Sequence, residues 1–95
     1  MSYRILLIPT AEAELTSLPL EARIRMLKQL QRLTERPYPA NSRQLTGALR
    51  GITRLRVGDY RIAYRVLKDE EKIRVLCIGH RAKFYDDLGR RQSDT

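Results

Sequence analysis

The chain has 95 residues, 42% hydrophobic and 32% charged, a composition that specifies one globular domain spanning residues 1–95 rather than a disordered chain. Nineteen Lys and Arg against eleven Asp and Glu give a net charge of +8, which favours a polyanionic or acidic partner. A single cysteine, Cys77, excludes an internal disulfide, and with a single histidine, His80, it also excludes a Cys/His zinc site.

The longest apolar run, Ile5-Leu6-Leu7-Ile8, is too short to span a bilayer, and no signal peptide is visible. A cytoplasmic protein without metal, cofactor or membrane contact is expected. Fifteen of the basic residues are Arg and four are Lys. Arg presents a planar fork that fits phosphate oxygens two at a time. A genome rich in G and C would give the same bias, so composition leaves both readings open.

In chain order, residues 3–8 read as a strand bounded by Pro9, apolar on both sides and therefore expected to be buried rather than at an edge. Thr10 is the expected N-cap of a short helix reaching about Leu18, with Glu12 and Glu14 in its first turn. Pro19 suits the start of a second helix. There Leu20, Ile24, Leu27 and Leu30, widened by Met26 and Leu33, form an apolar stripe, and Glu21, Arg23, Arg25, Lys28 and Arg32 form a solvated face. Residues 10–35 thus read as a helical hairpin laying one apolar face on a core.

Arg36 to Asn41 breaks the helix with two prolines, and residues 42–51 show no clear period. Period-two patterning follows in Thr53 to Val57, Tyr60 to Leu67 and Lys72 to Ile78. Gly58-Asp59 suits a tight II′ hairpin turn, and Lys68 to Glu71 forms the next connection. The tail from Arg81 is expected to make one helical turn around Phe84 and Tyr85 and to fray from about residue 89 to residue 95. The fold class is α+β: an N-terminal strand, a helical hairpin on one sheet face, then an antiparallel three-stranded meander with the first strand beside it.

Alternation along the strands places the arginines. With a Gly58-Asp59 turn, Leu55 faces Ile62 in the helix-covered core. Arg56 faces Arg61 on the other side, with Arg54 diagonal to it. Two arginines directly opposed are destabilising, and an anion relieves them. Residues 50–65 hold Arg50, Arg54, Arg56, Arg61 and Arg65 against one acid, Asp59. A solvated outer face and a phosphate-binding patch are the two readings of this cluster. Beyond the last strand, His80, Arg81, Lys83 and Tyr85 add a titratable imidazole, two cations and an aromatic ring, the groups that RNA binding and cleavage need. No phosphate-cradling glycine loop or HExxH motif is present, and the pairs Glu70-Glu71 and Asp86-Asp87 lack other metal ligands. Metal-free cleavage stays open, because RNA carries its own nucleophile in the 2′-hydroxyl.

The stretch Leu55-Arg56-Val57-Gly58-Asp59-Tyr60-Arg61-Ile62-Ala63-Tyr64-Arg65-Val66 resembles the RelE/ParE superfamily of toxins from type II toxin–antitoxin pairs. So do Val75 to Arg81, Tyr85, Ala13-Glu14-Leu15, Leu18-Pro19 and Leu45-Thr46-Gly47, and the likeness covers about residues 3–88. It implies one of two activities: ribosome-dependent mRNA cleavage in the A site, or inhibition of DNA gyrase without catalysis. A degenerate toxin that only binds is a third reading.

For the nuclease, the resemblance assigns Arg61, Arg81 and Tyr85 to the site, with Arg54 where RelE has a lysine and Ile52 where RelE has a second one. Arg54 binds phosphate but stays protonated, so it is a poor base. His80 is the substitute proton carrier. Arg50, Arg56, Arg65 and Lys83 are the further phosphate-binding candidates. The implied partners are the ribosome and mRNA, or DNA gyrase, and a cognate antitoxin whose toxin-binding segment is acidic.

Overall fold

The computed structural model describes residues 2–91. In chain order it contains β1 (Arg4–Leu7), α1 (Pro9–Thr16), α2 (Leu20–Leu33), β2 (Ser42–Gln44), β3 (Thr53–Val57), β4 (Tyr60–Leu67), β5 (Lys72–His80) and α3 (Phe84–Arg91). Single 3-10 turns at Gly47–Leu49 and Lys68–Glu70 complete the connections. The five strands form one sheet in the order β1-β5-β4-β3-β2, with β1 parallel to β5 and the other pairs antiparallel. The α+β architecture, the hairpin helices on one sheet face and the meander are as the sequence predicts. No helix among the described residues is long and apolar enough to cross a membrane.

Four local expectations are corrected. β1 is an edge strand with Leu6 44% exposed, because only β5 pairs with it. Pro9 opens α1 instead of ending the strand: its fixed φ suits the first helical position, so Ile8 rather than Thr10 is the N-cap. In α2 the core face is Ala22, Met26, Leu30 and Leu33, while Leu20, Ile24 and Leu27 are 65%, 46% and 50% exposed. At about 100° per residue the helix carries two apolar stripes centred about 130° apart, and only one faces the sheet. Residues 42–44, aperiodic in the sequence, form the short edge strand β2, with Arg43 across from Arg54.

The main core lies between the hairpin helices and the sheet. Met26, Leu30, Leu33 and Ala11 meet Leu55, Ile62, Tyr64, Ile73 and Val75, all at 5% exposure or less. The Tyr64 hydroxyl donates to Pro37 O at 2.6 Å and so ties the Pro-rich loop to the sheet. Burial raises the Tyr64 pKa to about 12.

The opposite face carries a smaller core. Ala63 pairs with Cys77 but Tyr64 pairs with Val75, so Leu76 is an extra residue on β5. This bulge puts both Leu76 and Cys77 into the second core, under Phe84 and Leu88 of α3. The tail is therefore an eight-residue helix including Gly89 rather than one turn, held by that apolar pair. The part of the expected fraying at residues 92–95 lies outside the described residues. Where β1 ends, the open edge of β5 is closed by side chains. Glu14 Oε1 accepts from Ile78 N–H at 3.0 Å, and Arg91 donates to both Glu14 oxygens at 2.7 and 2.9 Å and to Leu76 O at 3.2 Å.

Candidate nucleic-acid interface

The β3–β4 turn sets the site. Gly58 has φ +61°, the left-handed backbone that the tight turn requires and that glycine adopts without strain. The register then follows the alternation rule: Val57 faces Tyr60, Arg56 faces Arg61, and Arg54 faces Ala63. Arg61 Nη1 donates to Gly58 O and to Tyr60 O, both at 2.9 Å, which fixes the guanidinium at the turn. Arg81 is anchored to the same turn through its N–H, which donates to Asp59 O at 2.8 Å.

Arg61 reports the surrounding field. Its pKa is lowered, first by partial burial and then by the positive charges of Arg56, Arg54 and Arg81; Tyr85 acts in the opposite sense. Arg54, Arg56, Arg61, Arg81 and Tyr85 thus share one electrostatic neighbourhood. The Arg54 Nε is buried without a hydrogen-bond partner, an unfavourable state that the free protein tolerates. Among the described residues the ion pairs are Lys72–Glu70, Arg90–Asp87 and Arg91–Glu14, so no carboxylate neutralises this cluster. Tyr85 packs edge-to-face on Phe84 with centroids 5.0 Å apart and keeps 45% of its surface exposed.

Other sequence candidates lie elsewhere. His80 pairs with Tyr60 and meets its ring edge-on at 5.7 Å, which places it on the side of the helical hairpin. Its Nδ1 accepts from Ala82 N–H at 3.2 Å. Lys83 is exposed just before α3, its N–H donating to His80 O at 3.0 Å. Arg65 is four residues along β4 from Arg61, about 13 Å away, and with Arg50 it belongs to the opposite end of the sheet. Ile52 is fully buried in the second core with Phe84 and Leu88.

Two cations were not legible as members of this region. Arg43 joins it because β2 exists. Arg25 reaches it from α2: a Cβ on Gly58 would stand 2.8 Å from its Nη1, so that guanidinium lies against the turn. Only the contact between helix and turn reveals it.

Comparison with known proteins gives this arrangement a lineage. A chain of the RelBE2 toxin–antitoxin complex from Mycobacterium tuberculosis is 23% identical, with 84% of this chain and 99% of that one covered at a TM-score of 0.76. The archaeal RelE–RelB complex from Pyrococcus horikoshii gives 29% identity, 87% and 99% coverage and a TM-score of 0.76. A mutant Escherichia coli RelE toxin in the free state gives 23%, 96% and 98%, and 0.76. The search among curated proteins gave no match. The family described as ParE toxin of type II toxin-antitoxin system, parDE, matches residues 5–85, and with the RelE-like sheet and its arginine-bearing hairpin this chain belongs to the RelE/ParE superfamily of toxins.

Proposed function

We propose that this toxin cuts mRNA on the ribosome, without a metal ion, by directing the RNA's own 2′-hydroxyl onto the adjacent phosphate. The observation that carries this reading is the convergence of Arg54, Arg56, Arg61 and Arg81 beside Tyr85 with no carboxylate among them. A site with this charge is suited to the doubly charged phosphorane formed as the 2′-O–P bond forms and the P–O5′ bond breaks.

Arg54 and Arg56 grip the phosphate and its neighbour. Arg61 and Arg81, both fixed to the β3–β4 turn, stabilise the charge that develops in the transition state. The exposed ring of Tyr85 stacks on a base. The 2′-hydroxyl loses a proton and the 5′-oxygen gains one. An arginine is a poor base, so the transfer falls to His80, the one imidazole. In the free protein that ring faces Tyr60, and this role requires it to turn towards Arg81 when RNA binds.

The partner expected in the resting state is an antitoxin. The exposed stripe Leu20, Ile24 and Leu27, flanked by Arg25 and Lys28, suits an acidic amphipathic segment. Two of the three similar structures named above are toxin–antitoxin complexes.

The test is translation of a defined mRNA in vitro with A-site cuts mapped by primer extension. Arg61→Ala and Arg81→Ala should each lower cleavage by ~10²-fold, the scale of losing one transition-state donor. A second reading, a gyrase inhibitor without catalysis, is favoured by the match to the ParE toxin family over residues 5–85. mRNA left intact by wild-type protein, with loss of gyrase supercoiling, would establish that reading instead.

A further inference from the structure

Like charges face each other in every ladder of the sheet. Arg43 pairs with Arg54, Arg56 with Arg61, Arg65 with Arg74, and Arg4 with Lys72. Alternation puts all eight on one face, the one turned away from the helical hairpin. Directly opposed like charges destabilise a sheet. Of the eight, Lys72 has an ion pair among the described residues, with Glu70 at 3.6 Å, and the others have none.

The eight fall into two groups. Arg54, Arg56 and Arg61 belong to the proposed cleavage cluster, with Arg43 across from Arg54. Arg65, Arg74, Arg4 and Lys72 stand at the other end of the face. Between them on β4 lies Ala63, roofed by Phe84 and Leu88 of α3. Within the far group the place of Arg65 is fixed. Gly51 has φ +92°, and a Cβ there would stand 2.6 Å from Arg65 Nη1, so the guanidinium lies directly on the chain at that glycine.

We propose that Arg4, Arg65 and Arg74 form a second phosphate-binding site, which holds RNA backbone about 13 Å from Arg61, on the far side of α3. The proposal rests on the reading of this face as an RNA surface, but not on cleavage. The chemistry favours RNA over an acidic peptide. Arg4, Arg74 and Arg65 stand on three adjacent strands of this face, and a guanidinium is suited to bidentate contact with a phosphate. Its exposed large apolar neighbour is Leu6 alone, whereas an amphipathic peptide needs a stripe such as that on α2.

The probe is a 2′-O-methylated single-stranded RNA long enough to span both groups, bound to the full chain and followed by fluorescence anisotropy across a salt series. Arg74→Gln and, separately, Arg4→Gln should each weaken binding several-fold. Each should also reduce the slope of log affinity against log salt by about 0.7, the value for one lost single-strand phosphate contact. Arg32→Gln makes the same charge change on the exposed face of α2 and should leave the slope intact. Arg74→Gln should keep or raise the Tm of the free protein, because it removes one repulsive pair.

The proposal is overturned if Arg74→Gln and Arg4→Gln match Arg32→Gln, or if wild-type protein binds no RNA at low salt. It is also overturned if the variants lose polyglutamate binding and keep RNA binding, which would make this an acidic-peptide site. Cleavage assays separate the two ideas. mRNA left intact together with a reduced slope in Arg74→Gln sinks the nuclease reading alone. Codon-phased cleavage with an unchanged slope sinks the second site alone.

Discussion

Under the helical hairpin, Leu55, Ile62, Tyr64, Ile73 and Val75 are sealed by Met26, Leu30 and Leu33 from a two-helix layer. On the other face Ile52, Ala63, Leu76 and Cys77 are sealed by Phe84 and Leu88 of one eight-residue helix, and arginines stand around them. The first face has the larger apolar surface to hold the chain folded. The second gives up part of that gain to opposed cations. Stability and recognition are thus divided between the two sides of a single sheet. The side that carries the charge is closed by a single short helix.

That division predicts unequal responses to the same kind of truncation. Met26→Ala should lose about 2–5 kcal/mol, a large share of the total for a domain of this size, and should unfold the whole chain cooperatively in urea. Leu88→Ala should cost less, because α3 can lift away while the sheet and hairpin stay folded. Hydrogen exchange would then show lost protection in α3 with β4 amides still slow. Equal global unfolding by both variants would mean that the two cores are one cooperative unit.

Alkaline pH tests both faces through one buried acid on each. Burial raises the pKa of Tyr64 and of the Cys77 thiol to about 12, and for Cys77 nearby Glu14 adds to the effect. Each group is neutral in the folded state and ionises more readily when unfolded. The stability they contribute is complete below their unfolded values, near 9 for Cys77 and 10 for Tyr64, and is lost as pH rises towards 12. Denaturant midpoints should be flat up to about pH 9 and then fall. Cys77→Ala should delay the onset to about pH 10, where Tyr64 takes over. An unchanged onset would assign the loss to other groups.

The Glu14–Arg91 pair is where the two sides are joined, from α1 to α3 around the open edge of β5. It raises the Arg91 pKa, chiefly through the hydrogen bonds to Glu14. Arg91→Ala leaves a half-buried carboxylate without its cation and should cost about 1–3 kcal/mol. Glu14 would retain its bond to Ile78 N–H, so the loss should appear first as faster exchange in α3. Slower or unchanged exchange there would mean that the apolar pair alone holds the helix.

Much of this was legible before any coordinates. The meander, the Arg56–Arg61 register and the hairpin on one face follow from period-two alternation and a Gly-Asp turn, which are local signals. The nearness of Arg54, Arg56 and Arg61 was legible for the same reason, whereas Arg81 and Tyr85 were joined to them through the RelE resemblance. What escaped depends on distant partners. Ser42-Arg43-Gln44 has no strand pattern and becomes a strand only by pairing with β3. α2 has two apolar stripes, and only docking on the sheet chooses Met26 over Ile24. The bulge at Leu76 has no turn residue to announce it. It re-aims Leu76 and Cys77 into the floor on which Phe84 and Leu88 settle, so α3 was legible only as one turn. His80 was grouped with the arginines by nearness in sequence, yet the register sets it beside Tyr60 on the other side.

The smallest expected effect bears most directly on why the two faces differ. If Arg56 and Arg61 are opposed because an anion is meant to lie between them, removing one charge should help the empty protein. Arg56→Gln keeps the side chain's reach and hydrogen-bonding ability, and Arg56 is exposed and makes no ion pair among the described residues. The gain should be about 0.2–1 kcal/mol, the range for a cross-strand pair. It should shrink at high salt, where repulsion is screened. A parallel Thr53→Val change on the covered face would carry no such salt dependence, since that position faces the buried Tyr64. If Arg56→Gln lowered the Tm at every salt concentration, the opposed arginines would be structural props. The division between a stabilising face and a recognising face would then fail at its centre.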